Sequence, residues 1–302
     1  MKVFVTGGSG FVGREVLWRL HEAGHGIRLL SRRAGSESVR QLAYRHRAEI
    51  VPGTCNDAAA LRAGMNDCGA VIHLVGIISE LAGNTFERAH LEATHQVLAA
   101  ATAVGVKRMI HLSALGTRAG ARSRYHQTKW AAEELVRASD RDWTIFRPSV
   151  IFGRDDGFVN RLAKLCRWSP AIPVFGPGTN QLQPIAVQDV AHCLAGALAH
   201  RGAIRRTLDL CGTERISMND VYRLILHVTQ RRRPLVHLPM GIARLQAVLM
   251  ETVWGALGKA SPLTRDQLIM LEEDNIGEPD EAIAMFKFAP ESFASGIANY
   301  VR

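Results

Sequence analysis

Hydrophobic residues follow two alternating patterns along the first half of the chain. Short runs rich in β-branched residues predict strands at 3–6, 27–30, 49–51, 70–75, 109–112 and 144–146. Between these runs, apolar residues at helical spacing predict helices at 11–23, 38–47, 58–65, 85–104 and 125–139. This alternation predicts an α/β fold, a doubly wound parallel sheet with helices on both faces.

The pattern loosens after Pro148. Glycine and proline punctuate residues 169–184, which predicts loops of a second, smaller region. A helix at 188–200 and a strand at 207–210 follow. We therefore divide the chain into a sheet domain at 1–150 and a smaller C-terminal region at 151–302, with segments near 185–212 returning to the sheet.

A glycine-rich turn, TGGSGFVG at residues 6–13, follows the first strand and opens the first helix. It has the form Gly8-x-Gly10-x-x-Gly13 or Gly7-x-x-Gly10-x-x-Gly13. Such glycines allow a tight turn and a close backbone approach to a pyrophosphate, which then faces the helix N-terminus. The motif predicts a dinucleotide site with contacts from Gly7, Gly10, Phe11, Val12 and Gly13.

The end of the second strand carries positive charge. A site selective for an unphosphorylated ribose places an acidic residue about 20 positions after the motif. This chain has Ser31, Arg32 and Arg33 there. Guanidinium groups match a 2′-phosphate in charge and geometry, so we predict NADP(H) in preference to NAD(H). The alternative is that both arginines are solvated loop charges.

Tyr125 and Lys129 stand four positions apart in a predicted helix. That spacing places both side chains on one face, where an ammonium favours the phenolate form of a tyrosine. Such a phenol can exchange a proton with a hydroxyl or carbonyl while a cofactor moves hydride. The alternative is an amphipathic helix with a tyrosine at its edge.

Four segments together carry a family resemblance. They are the glycine turn, the YxxxK pair, WTIFRPSVIFG at 143–153 and QLQPIAVQDVA at 181–191. With them the chain resembles the short-chain dehydrogenase/reductase superfamily, and within it the NAD-dependent epimerase/dehydratase group. The resemblance covers essentially the whole chain and implies a Rossmann-type sheet.

The resemblance also implies roles for individual residues. Tyr125 would be the catalytic acid/base, and Lys129 would bind the nicotinamide ribose and lower the tyrosine pKa. Ser113 falls in the catalytic group, but the second residue of its pair, usually Ser or Thr, is Ala114. Only twelve positions separate Ser113 from Tyr125, a short substrate loop for this group, so weak or absent turnover is expected. The alternative is an active NADP-dependent reductase or nucleotide-sugar epimerase/dehydratase.

Further cofactor contacts follow from the same resemblance. Asn56 and Asp57 follow the third strand, where the family places a polar residue beside adenine, although a turn or helix cap explains them equally well. The remaining expected contacts are Leu74, Val75, Gly76 and Pro148.

A C-terminal segment, PLTRDQLIMLEEDN at 262–275, narrows the resemblance. Together with the shortened site it is similar to bacterial relatives of the nucleotide-binding accessory subunit of respiratory complex I. This implies a tightly held NADPH, a structural or assembly role, and a respiratory complex as partner.

Composition restricts the remaining possibilities. The net charge of +9 comes mainly from arginine clusters and favours anionic partners. These clusters are distributed over several predicted elements and lack interleaved aromatic residues, so we expect no nucleic-acid partner.

The five cysteines have neither metal-ligand nor CxxC spacing and are interpreted as reduced core thiols, and no metal site is expected. The sequence leaves the oligomeric state open.

Whether the protein contacts a membrane depends on the apolar stretch at 240–259. The chain begins MKVFVTGG, without an apolar leader, and no apolar run is long enough to span a bilayer. We therefore expect a cytoplasmic protein, or one held peripherally at the inner membrane. The apolar stretch at 240–259 is first explained by core packing. Because it follows QRRRP at 230–234, the alternative is docking on an anionic membrane surface or a partner helix.

Overall fold

The computed structural model describes residues 1–81 and 83–301 and is built on strands that alternate with helices. The strands are β1 (Lys2–Thr6), β2 (Gly26–Ser31), β3 (Ala48–Pro52), β4 (Ala70–His73), β5 (Arg108–Leu112), β6 (Asp142–Pro148), β7 (Ile151–Phe152), β8 (Ile172–Phe175), β9 (Gln181–Leu182), β10 (Ile185–Ala186), β11 (Arg206–Leu210), β12 (Ile216–Ser217) and β13 (Leu235–Leu238). The α-helices are α1 (Phe11–Glu22), α2 (Glu37–Arg45), α3 (Ala58–Met65), α4 (Ala93–Ala103), α5 (Arg124–Ala138), α6 (Val159–Trp168), α7 (Val187–Gly196), α8 (Met218–Val228), α9 (Met240–Ala256), α10 (Arg265–Leu271), α11 (Asp280–Phe286) and α12 (Phe293–Ala298). A π-helical segment, Glu87–Glu92, leads into α4, and a short 3₁₀ turn spans Arg201–Ala203.

Seven strands form the central sheet in the order β11-β6-β5-β4-β1-β2-β3. Every neighbouring pair in this sheet is parallel. The order reverses between β1 and β4, and a ligand crevice is expected beyond the carboxyl ends of these two strands. The predicted Rossmann-type α/β fold is confirmed.

The sheet has a separate apolar core on each face. Val3 and Val5 of β1 pack with α1 and α7, whereas Phe4, between them, packs with α3 and α4 on the other face. Strands β4 and β5 are buried at every position. This double burial explains why the strands read as near-continuous apolar runs.

Part of the C-terminal half of the chain packs against the central sheet, and the chain then continues into the smaller region. Helix α7 packs on α1, and β11 forms the edge strand beside β6. The helix predicted at 188–200 ends at Gly196, and the strand predicted at 207–210 is β11. The sheet is thus completed by a strand that lies after the first part of the smaller region.

A third apolar cluster holds the smaller region together, and includes Phe152, Val159, Ile172, Tyr222 and Phe293.

The prediction of loops at 169–184 is wrong, because this stretch contains β8 and β9. Strand β8 pairs in parallel with β13, which lies far along the chain. Local glycine and proline content does not reveal a partner at that separation.

Helix α9 departs from the core-packing prediction. Only Ala243 and Ala247 of this helix are buried, while most of its large apolar side chains are exposed. Within the described part of the chain, no helix combines the length and hydrophobicity needed to cross a membrane.

A buried ion pair joins α5 to β6. Glu133 of α5 has no exposed surface, and it accepts hydrogen bonds from Nε and Nη2 of Arg147 at 2.9 and 2.6 Å. Arg137, one helical turn away, also contacts Glu133. The carboxylate therefore holds two guanidinium groups between the helix and the sheet.

We predict that Glu133→Ala lowers the free energy of unfolding by about 1.5–3 kcal/mol, because it removes the buried carboxylate that accepts charge-assisted hydrogen bonds from two partly buried guanidinium groups. The control is Glu134→Ala, which removes an exposed carboxylate that also pairs with Arg137 and should change stability by less than about 0.5 kcal/mol. Urea unfolding followed by circular dichroism measures both. Equal losses in the two variants would contradict the assignment.

Candidate functional site

The glycine turn between β1 and α1 packs backbone directly against backbone. Gly7 has a positive φ of 76°, and its carbonyl accepts a hydrogen bond from Gly10 N–H at 3.0 Å. A Cβ on Gly13 would lie only 2.4 Å from Gly7 O and from Gly8 Cα. No side chain fits there, so the helix begins against the turn. The N–H groups of its first turn lack intrahelical partners and are suited to bind an anion.

A continuous cavity of about 1500 Å³ begins at this turn and extends along the carboxyl ends of the central strands into the smaller region. Nearly all the residues predicted from sequence line it: Gly7, Gly10, Phe11, Val12, Gly13, Arg32, Arg33, Asn56, Leu74, Val75, Gly76, Ser113, Tyr125, Lys129 and Pro148. Asp57 differs. Its carboxylate accepts hydrogen bonds from the N–H groups of Ala59 and Ala60 and caps α3. For Asp57 the helix-cap alternative is therefore the one observed.

The two arginines predicted to select the cofactor stand immediately after β2. Arg33 N–H donates to Ser31 Oγ at 3.2 Å, which shapes the turn, and both arginine side chains are exposed at the cavity. Two guanidinium groups thus face the crevice on the side of the glycine turn. They give this end of the cavity a positive charge.

Tyr125 lies at the start of α5, where its side chain is buried among aromatic rings. Its ring packs edge-on against Phe86, His90 and His126, with centroids 5.9, 5.4 and 5.2 Å away. Burial raises the pKa of Tyr125 to about 12. The phenol is therefore protonated at neutral pH.

Lys129 lies one turn further along the helix and is also buried. Its Nζ donates to Leu112 O at 3.0 Å, and a Cβ on Gly76 would lie 2.9 Å from the same Nζ. Burial lowers the pKa of Lys129 to about 8. Desolvation shifts the pKa of Tyr125 upward, which is opposite in direction to the lowering by Lys129 that the resemblance implies.

Ser113 and Ala114 follow β5 and complete this end of the cavity. Ser113 N–H donates to Phe146 O at 2.7 Å, while its buried Oγ has no hydrogen-bond partner among residues 1–81 and 83–301. Ala114 packs with Phe86 and Tyr125. Of these two residues, only Ser113 carries a hydroxyl, and Ala114 places a methyl group at the neighbouring position.

His90, in the π-helical segment before α4, joins two elements of the site. Its Nδ1 lies 2.9 Å from Thr128 Oγ1, and its Nε2 lies 3.1 Å from Ile77 N and O. Burial, assisted by the charge of Lys129, lowers the pKa of His90 to about 2. A neutral imidazole therefore ties α5 to the loop after β4.

Helix α10 covers the tyrosine pocket from the smaller region. Asp266 accepts hydrogen bonds from the backbone N–H groups of Arg124 and Tyr125, at 2.6 and 3.1 Å, and so caps the N-terminus of α5. Met270 packs against the cluster that contains Tyr125. The position of the tyrosine thus depends on a helix more than a hundred residues away in sequence.

Residues just after α10 make further contacts between the smaller region and the sheet domain at this end of the site. Glu272 and Glu273 form ion pairs with Arg122 and Arg118 at 3.2 and 2.9 Å, and Asn275 Oδ1 accepts from Ser149 Oγ at 2.6 Å. Residues 262–275 carry a family resemblance in the sequence, but their place at the site was not predicted from it. The opposite charges of this acidic stretch and of the arginine-rich loop at 118–124 were the available indication.

Comparisons with known proteins agree with this geometry. Residues 7–201 match the NAD(P)H-binding family profile. A subunit of NADH dehydrogenase from Arabidopsis thaliana, named alpha subcomplex subunit 9, is 28% identical over 93% of this chain and 70% of its own length. Ceramide reductase from Caulobacter vibrioides is 30% identical over 84% of this chain and 78% of its own length.

A solved structure gives the same fold. The UDP-glucose 4-epimerase of Thermotoga maritima, in complex with UDP-glucose, superposes with a TM-score of 0.77 at 18% identity. The match covers 100% of this chain and 97% of the epimerase. At this level of identity the likeness concerns the fold alone.

Proposed function

The chain belongs to the NAD(P)H-binding family, and from this premise we propose that it binds NADP(H) in preference to NAD(H). One observation carries the preference: Arg32 and Arg33 stand at the carboxyl end of β2 and line the cavity that begins at the glycine turn. Guanidinium groups recognise phosphate through paired, charge-assisted hydrogen bonds. They occupy the place where an acidic residue would select an unphosphorylated ribose.

The remaining parts of the cavity suit the same ligand. The N–H groups at the start of α1 would receive the pyrophosphate, and the absence of a side chain at Gly10 would permit its close approach. Lys129 would hold the nicotinamide ribose beside Tyr125. When bound, the cofactor supplies or accepts hydride.

We further propose that turnover is weak and that the protein serves as an accessory component of a respiratory assembly at the membrane. Tyr125 is largely buried among aromatic rings with a pKa of about 12, and Ala114 provides no second hydroxyl. Helix α10 and the ion pairs after it join the smaller region to this end of the cavity. The resemblance to a complex I subunit over nearly the whole chain supports the same role.

A second candidate function, reduction of a carbonyl with an apolar substituent, is favoured by the other end of the cavity. Beyond Ser113 and Tyr125 the cavity continues between apolar side chains of the smaller region, among them Leu165, Phe175 and Met250. Tyr125 would donate its proton to the carbonyl oxygen as hydride reaches the carbon, and Ser113 Oγ would orient that oxygen.

We predict that the double substitution Arg32→Ala, Arg33→Ala raises the Kd for NADPH at least about tenfold, because each lost charge-assisted hydrogen bond costs about 1.5–3 kcal/mol. The Kd for NADH should change little. Arg40→Ala, which removes an exposed arginine of α2, is the matched control. Fluorescence titration with both nucleotides measures the effect. Equal weakening of NADPH and NADH would contradict the proposed role of the pair.

Tyr125→Phe tests the second candidate. If the protein reduces a long-chain ketone or aldehyde with NADPH, this variant should lose about 100-fold or more of kcat while it still binds NADPH, because it lacks the proton donor. Tyr44→Phe alters a tyrosine that is 89% exposed on α2 and should leave kcat unchanged. Equal rates in wild type and Tyr125→Phe would exclude proton donation by Tyr125.

A further inference from the structure

Helix α9 turns an apolar face toward solvent. Six large apolar side chains of α9 and its C-terminal end are between 41% and 63% exposed: Ile242, Leu245, Val248, Leu249, Val253 and Leu257. Most recur at intervals of three or four residues, so they form one stripe along the helix. The opposite face is held to the protein by Ala243 and Ala247, which pack with Leu268 of α10.

Helix α6, whose exposed face is basic, is linked to the far end of α9. Its sequence, VNRLAKLCRW, contains three cations and no acidic residue. Arg161 Nη1 donates to Pro262 O at 3.0 Å, which joins the start of α6 to the segment after α9. Trp168, at the end of α6, is 81% exposed.

The cavity reaches the space between these two helices. Arg161 and Lys164 of α6 and Gln246 and Met250 of α9 all line it. Both helices therefore border the apolar end of the cavity, and the apolar stripe lies on the side of α9 that faces solvent.

We propose that this surface docks on an anionic phospholipid bilayer, with α9 lying in the interface and with Arg161 and Lys164 of α6 directed to lipid phosphates. A stripe of leucine, isoleucine and valine beside cations and an exposed tryptophan is the combination that interfacial helices use. Helix α9 has 17 residues and lies among the helices that cannot cross the membrane. A second copy of the chain is a poorer occupant, because a symmetric contact would bring two basic α6 faces together.

Docking in this orientation has a consequence for the cavity. Its apolar end would open toward the acyl chains, so a ligand with a long apolar substituent could enter without crossing water. This consequence deepens the second candidate function, whereas membrane binding itself does not depend on which nucleotide the protein holds.

Flotation of the full chain with vesicles tests the proposal. We expect binding to phosphatidylcholine vesicles that contain phosphatidylglycerol, weaker binding to phosphatidylcholine alone, and a decrease as salt is raised. Leu245→Glu with Leu249→Glu should reduce the bound fraction at least about tenfold, because it places two charges in the apolar stripe. Tyr44→Glu, a change at an exposed aromatic residue of α2, should bind like wild type.

Three further measurements complete the test. The NADPH titration and circular dichroism of the double variant should match wild type, which shows that the fold and the nucleotide site survive. Absence of wild-type binding to the anionic vesicles, or equal binding by the double variant, would overturn the proposal. Sedimentation that shows a dimer dispersed by the same two substitutions, without vesicle binding, would assign the surface to a second copy and also overturn it.

Discussion

The contact between Gly13 and the turn at Gly7 and Gly8 is the constraint on which the site depends. With 2.4 Å between a hypothetical Cβ and the turn backbone, α1 can begin only where it does. Its unpaired N–H groups then point into the crevice at the carboxyl ends of β1 and β4, where the strand order reverses. The position of this helix start determines where a pyrophosphate can bind, and hence which strand ends a dinucleotide can reach.

The site also depends on the low solvent exposure of the side chains at the other end of the dinucleotide site. Tyr125, Lys129 and His90 are all desolvated, and desolvation shifts the pKa of each in the direction that favours the uncharged form. The Asp266 carboxylate and the ion pairs of the following residues hold the smaller region against the start of α5. An arrangement of this kind favours a cofactor that stays in place over one that exchanges rapidly, which is why we give the binding role precedence.

Much of the fold could be predicted from the sequence because its main patterns are local. Parallel strands buried on both faces read as apolar runs, and β4 and β5 show this directly. The glycine turn and the Tyr125–Lys129 spacing are local as well, and both line the same cavity. Features that depend on distant segments were not predictable, among them the pairing of β8 with β13 and the cap from Asp266. For residues 240–259 the sequence suited core packing and surface docking alike, and the structure exposes the apolar face of α9. Asp57 could not be assigned from the sequence, because an aspartate at this position can either cap a helix or contact adenine. In the structure it caps α3.

The central claim, a resident NADP(H), is tested most directly on protein purified without added nucleotide. The protein is denatured, and the released small molecules are identified by mass spectrometry and quantified against the chain. The account predicts NADP⁺ or NADPH in an amount approaching one per chain. Release of NAD⁺ or NADH alone, or of no dinucleotide from a protein that binds NADPH only weakly, would contradict it.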